Sequence, residues 1–224
     1  MIRFEKVRSK WIESILLNGI KVLLFLDFKH RYVGPIHGSM LTPSMKKRLQ
    51  EFQDSIYADL APYLKSQQQL NIEAELKIDE RSYHFWAENK AGEIVGGLRL
   101  IPAPFEFSAL TPELKAAANK YADIFEISRY ATKKNHHVVA QLILFFSGSW
   151  IIKETSQKGM LALSKERLKE HYKRYGVLDE DIEGPFTIDW RSEDARYYLV
   201  TADIRKIATS IIRRFLLKFK YETR

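Results

Sequence analysis

Three side chains of different chemistry fall within one eight-residue stretch, FEISRYAT (125–132): the carboxyl of Glu126, the hydroxyl of Ser128 and the guanidinium of Arg129. They are interleaved with Phe125, Ile127 and Tyr130, which predicts a strand with two unlike faces. On an ideal strand Glu126 and Ser128 share a face and Arg129 points the other way. A solvated edge strand and a strand lining a reaction cleft both account for the pattern; in a cleft, Glu126 is equipped to move a proton. Arg99, inside the apolar run EIVGGLRLI (93–101), needs a carboxylate partner if buried, and Glu126 is a candidate. Lys133 and Lys134 stand before an apolar helix, where a helix N-terminus suits phosphate. His136 and His137 are adjacent, so on a helix they point about 100° apart and make a poor metal pair. No metal site is expected. With no cysteine, disulfides, thiolate metal sites and a cysteine nucleophile are excluded.

The elements that must position these residues alternate without the regular strand–helix rhythm of a doubly wound fold. An amphipathic helix is expected over 11–28, then a loop through YVGPIHGSMLTPS (32–44), whose Gly34, Pro35, Gly38 and Pro43 are breakers. A helix capped by Thr42 or Ser44 runs toward Pro62. SYHFWAENKAGEIVGGLRLI (82–101) reads as a hairpin turning at 89–92. A short helix capped by Thr111 with Pro112 at its first position precedes the quoted strand. HHVVAQLILFFSGSWIIKETSQ (136–157) is apolar nearly all round and should be a buried helix. GMLALS (159–164), PFTIDW (185–190) and ARYYLVTADI (195–204) are further strands. A charged helix ends at Gly176, and a basic amphipathic helix (205–220) closes the chain. One mixed sheet with helices on both faces follows, with an N-terminal helical extension. The expected division is 1–44 for the amphipathic helix and loop and 45–224 for the main domain.

The 224 residues are 46% apolar, enough for a sizeable core. The net charge of +8 calls for an acidic partner: nucleic acid, an anionic membrane or an acidic protein. No nucleotide-binding signature or glycine-rich phosphate loop accompanies it. In residues 11–28 the charges of Glu13, Lys21 and Asp27 leave no uncharged run long enough to span a bilayer. Docking on the core or lying on a membrane surface are the two readings of that helix.

AGEIVGGLRLIPAP followed about thirty residues later by FEISRYAT resembles the autoinducer-synthase-like branch of the GNAT acyltransferases, above all the long-chain N-acyl amino acid synthases. The pattern V-G-x-x-R-L falls on Val95, Gly96, Arg99 and Leu100, and E-[LI]-[ST]-R-[FY] on Glu126, Ile127, Ser128, Arg129 and Tyr130. RLQEF places Arg48 and Phe52 on the family's R-x-x-x-F helix. The likeness spans roughly residues 45–205 and implies an α+β, GNAT-like αβα sandwich around a mixed, strongly twisted sheet. It departs where homoserine lactone synthases carry an acidic E-x-D-x-x-D cluster for S-adenosylmethionine: Asp79 matches, but Ala74 and Leu76 stand in the other places, with Glu73 and Glu75 out of step.

The resemblance implies an enzyme moving a long-chain acyl group from a thioester to the amine of an amino acid or related small amine. Glu126 would take the amine's proton and Ser128 would bond the substrate or the sulfur. Arg99, Arg129, Lys133 and Lys134 would hold the substrate or the pantetheine arm, and N–H groups at a bulge in the quoted strand would serve the oxyanion. Leu142, Phe145, Phe146 and Trp150 are candidates for an acyl tunnel. Lys165, Arg167, Lys169, Lys173 and Arg174 would dock an acyl carrier protein. Acyl carrier protein or acyl-CoA is then the co-substrate, with no tightly bound cofactor, in a cytoplasmic protein whose N-terminal helix offers a peripheral membrane contact. No nucleic acid partner is expected. The alternatives are a lactone synthase using S-adenosylmethionine and a non-catalytic basic module that binds membrane or nucleic acid.

Overall fold

The computed structural model describes residues 27–60, 72–166, 183–188 and 196–203, together with positions 14, 18 and 19. The expected helices over 11–28, 165–176 and 205–220 lie wholly or mostly outside those residues, as does the end of the strand expected at 185–190. The described elements are β1 (His30–His37), α1 (Pro43–Leu60), α2 (Ile72–Arg81), β2 (Tyr83–Asn89), β3 (Ile94–Ile101), α3 (Pro112–Ala118), β4 (Phe125–Thr132), α4 (His137–Glu154), β5 (Gly159–Lys165), β6 (Glu183–Phe186) and β7 (Tyr197–Asp203).

Seven strands form one mixed sheet in the order β1-β2-β3-β4-β5-β7-β6. Every neighbouring pair is antiparallel except β4–β5. β3 is buried at every position, as a central strand covered on both faces must be. Its turn from β2 is fixed by Asn89, whose side-chain oxygen accepts from the N–H groups of Ala91 and Glu93, both at 3.0 Å. Apolar residues pointing one way from the sheet (Phe85, Leu98, Leu100, Phe125, Met160, Val200) pack on α4 through Val139, Leu142, Ile143 and Phe145. Those pointing the other way form two separate clusters. One joins Trp86 and Ile94 to Leu49 and Phe52 of α1; the other joins Leu161, Tyr197 and Leu199 to Leu114 and Ala117 of α3. The strip of sheet between these two clusters is polar, and it carries Arg99, Ser128 and Glu126.

Two local expectations fail for physical reasons. Residues 30–37, expected largely as loop, are the edge strand β1. Its Gly34–Pro35 pair sits at a bulge between Val33 and Ile36 on an edge strand, where a missing N–H is tolerated. Residues 72–81, given no element, form α2. That helix turns Leu76 to solvent and directs Glu75 and Asp79, one turn apart, toward the sheet, so it has no apolar stripe to betray it. Gly38 lets the chain pass beneath α2: a Cβ there would lie 1.6 Å from the Asp79 carbonyl oxygen.

β4 departs from an ideal strand twice. Against β3, Gly97 pairs with Ala131 but Arg99 pairs with Ser128, so β4 carries one extra residue in between. Arg129 takes φ 55° at that bulge. Against β5, only Phe125 and Glu126 are paired, so the two strands part after Glu126. β4 then continues with β3, and β5 with β7, leaving a wedge in the middle of the sheet.

Candidate active site

Arg99 anchors the polar strip. It stands on β3 between His84 of β2 and Ser128 of β4 and is 1% exposed. Its Nη1 donates to Glu75 Oε1 at 2.6 Å and Asp79 Oδ1 at 2.5 Å. Its Nη2 donates to Glu106 Oε2 at 2.9 Å and to Ser128 Oγ at 3.2 Å. The expected partner, Glu126, is not one of these carboxylates; helix α2 and the β3–α3 loop supply them instead. Burial works against the charge, but the carboxylates overcome it and Arg99 stays ionised. His84, on the same face, is held neutral chiefly by burial.

Arg129 does not point away. The left-handed turn at the bulge brings it onto the face of Ser128, where Nη2 donates to the same Glu75 Oε1 at 2.6 Å and Nη1 to Gln53 Oε1 at 3.0 Å. Glu75 thus bridges two guanidiniums, and Gln53 ties the bulge to α1.

Two glutamates of opposite character complete the strip. Burial would raise the pKa of Glu106, but Arg99, Arg129 and the Ser128 hydroxyl hold it down at about 2. Ser128 Oγ donates to Glu106 Oε2 at 2.5 Å. Glu126 is pushed well above its ordinary value, first by burial and then by the charge of Glu106. Its Oε2 accepts from the Glu106 N–H at 2.5 Å. Glu126 therefore holds its proton to higher pH than an ordinary glutamate, beside a neighbour that gives its own up far more readily, the separation of pKa values that acid–base sites use.

The remaining candidates are spread over the fold. Lys133 and Lys134 sit in the β4–α4 loop, just past the end of β4; Lys133 Nζ is 4.0 Å from Glu93. Leu142 and Phe145 are buried in the core under α4. Phe146 and Trp150 are partly buried at its side, Trp150 tilted against Tyr83, Phe85 and Phe125 with centroids 4.5, 5.7 and 5.7 Å away. Lys165 ends β5, whereas Arg167, Lys169, Lys173 and Arg174 lie outside the described residues. Arg48 bonds Glu88 and the Gly92 carbonyl, and Phe52 is buried, so this pair braces the hairpin. His136 meets His30 at 3.0 Å, and His30 meets Asp27 at 2.9 Å, which ties α4 to the start of β1. Among the described residues no group of side chains is arranged to hold a metal, and no helix is long and apolar enough to cross a membrane.

Glu75, Asp79 and Glu106 were missed as members of the site. Glu75 and Asp79 have a weak signal, the spacing of one helical turn; Glu106 lies in the irregular loop PAPFEF (102–107) and has none.

The mixed sheet, with α4 on one face, α1 to α3 on the other and a central parting after β4, is the GNAT acyltransferase fold. It is similar to FeeM, an N-acyl amino acid synthase from uncultured soil microbes, at 12% identity over 80% of this chain and 91% of that one, TM-score 0.53. It is also similar to BjaI, a CoA-dependent acyl-homoserine lactone synthase solved with MTA, at 16% identity over 83% of this chain and 88% of that one, TM-score 0.55. No family model matches the chain, and no curated protein matches it in sequence.

Proposed function

We propose that this chain is an N-acyltransferase that moves a long-chain acyl group from a thioester, carried by acyl carrier protein, to the amine of an amino acid or related small amine. The observation that carries this is Glu126, a buried carboxyl with a raised pKa beside ionised Glu106, set where β4 bulges and leaves β5. The wedge gives a thioester arm a way between strands, with the acceptor on the α1–α2 side and the acyl chain toward Phe146 and Trp150 of α4. Ionised Glu126 takes a proton from the acceptor ammonium, directly or through a water, and its raised pKa makes it a stronger base toward that proton than an ordinary carboxylate. The amine nitrogen then bonds to the thioester carbonyl carbon. Main-chain N–H groups of the bulge face the oxyanion, the C–S bond breaks, the excess proton left on the nitrogen by the attack passes to the departing thiolate, and Glu126 releases the proton it took from the ammonium to solvent. Arg99, Arg129 and Glu75 hold the geometry. Lys133 and Lys134 meet the phosphate of the arm, and Lys165 with the basic segment after it meets the carrier protein.

The test is release of thiol from palmitoyl-loaded acyl carrier protein in the presence of mixed amino acids and amines, with mass spectrometry of the lipid product. Lacking cysteine, the enzyme contributes no thiol background. An N-acylated amine that is lost with Glu126→Gln supports the assignment. Turnover only with S-adenosylmethionine would make the chain a lactone synthase, the reading that the likeness to BjaI favours. No turnover by folded protein would leave a basic binding module.

A further inference from the structure

If acyl transfer takes place at this cluster, its charges also constrain the acceptor. Cations lie at the bottom and anions at the rim. The Arg99 and Arg129 side chains are 1% and 6% exposed, while Glu75, Asp79 and Glu106 keep 20%, 27% and 29% of theirs open. Glu106 is thus packed deep among protein atoms yet open along one side. The terminal nitrogens of both guanidiniums are already spent on Glu75, Asp79, Glu106, Ser128 and Gln53. Arg81 turns its terminal nitrogens to the Pro102 and Pro104 carbonyls. Among the described residues, the cluster therefore shows carboxylate oxygens to whatever enters it and keeps its guanidiniums below, engaged.

An ammonium entering this rim finds acceptors for its N–H groups. A free α-amino acid brings a carboxylate on the carbon that bears the reacting nitrogen, and that carboxylate would lie against Glu75, Asp79 and Glu106 with no uncommitted guanidinium to receive it. Like charges placed together in an interface cost several kcal/mol. We infer that the acceptor is a cationic amine without a free α-carboxylate: a decarboxylated amine, a polyamine, or an amino acid whose carboxyl is esterified, amidated or closed into a ring. This rests on the N-acyltransferase reading and narrows its acceptor class. The rim, rather than the shape of a side-chain pocket, sets this preference, so it should recur whatever side chain the acceptor carries.

The test compares matched acceptors that differ only at the carboxyl: phenethylamine, phenylalanine methyl ester and phenylalanine; putrescine and ornithine. Each is offered to the full chain with the palmitoyl donor, and kcat/KM is read from thiol release and product mass. The carboxylate-free member of each set should exceed its parent amino acid by on the order of tenfold to a hundredfold. Amino acids turned over as well as or better than their esters and amines would overturn the inference and leave the acyltransferase reading standing. Acylation of no amine at all would remove both.

Discussion

Replacing Arg99 by Met keeps an unbranched apolar stem but removes the guanidinium, and it strands the three carboxylates around that place. Glu75, Asp79 and Glu106 all bond its terminal nitrogens within 3 Å. Removing one partner of a buried ion pair costs about 3–5 kcal/mol. In a domain of this size each kcal/mol moves the melting temperature by roughly 2–4 °C, so a drop of roughly 6–20 °C is expected. The loss should depend on pH in a definite direction. Glu106 titrates at about 2 in the folded protein against an ordinary 4.5. At about 1.4 kcal/mol per pH unit that gap corresponds to roughly 3 kcal/mol. A carboxylate whose folded pKa is depressed contributes stability that is whole above the ordinary value and is lost as pH falls toward the folded one. The contribution is present in the wild type at pH 7 and reduced in Arg99→Met, which keeps only the shares of Arg129 and Ser128. The two stability curves should therefore lie apart at pH 7 and converge between pH 4.5 and 2. Urea unfolding at a series of pH values, with the slopes compared to confirm an unchanged unfolding transition, measures this. Parallel curves, or a loss under about 1 kcal/mol at pH 7, would refute the assignment of Arg99 as the cation that holds the strip together.

Glu126→Gln should lower turnover by about a hundredfold or more and abolish the acid limb of the pH–rate profile, which in the wild type should lie above the ordinary carboxylate range. The same substitution should match the wild type in stability near pH 4 and exceed it near pH 9, because a carboxyl with a raised folded pKa costs stability as pH climbs through that pKa; equal unfolding midpoints at pH 9 would count against a proton on Glu126. Ser128→Ala should cost about 1 kcal/mol of stability by taking a donor from Glu106 and should lower kcat more than it raises KM, as steady-state kinetics will show. Gly38→Ala should destabilise by roughly 3 kcal/mol or more, read as a lower melting temperature, since its Cβ would strike the Asp79 carbonyl and displace α2.

Where burial is apolar and regular, the sequence was legible. The hairpin of β2 and β3, the capped α3, β4, the all-round apolar α4, β5 and β7 all follow from periodicity and breakers, because each buries hydrocarbon at the spacing of its own geometry. Thr42 does cap α1, accepting from the Met45 N–H at 3.3 Å. Legibility failed where the buried face is polar or the backbone breaks its period. Helix α2 buries Glu75 and Asp79 rather than a stripe of leucines, and β1 hides behind a glycine and a proline. Arg129 was assigned to the wrong face because one inserted residue reverses alternation, and no residue type announces a bulge. Glu126, Ser128 and Arg99 were identifiable as strand residues with unusual chemistry, but their partners come from a loop and a helix distant in sequence. Only packing could assemble them.

The two outermost strands share a device. β1 carries Gly34–Pro35 and β6 carries Gly184–Pro185, each at a break in register and each with the glycine at φ near 130°. Neither proline can donate to a neighbouring chain, and each bulge turns the strand's remaining hydrogen-bonding groups off line. A strand from another molecule approaching either side therefore meets an interrupted ladder. A sheet whose strands part in the middle runs the hazard of exposing unpaired backbone; among the described residues both flanks are blunted, which disfavours another molecule continuing the sheet.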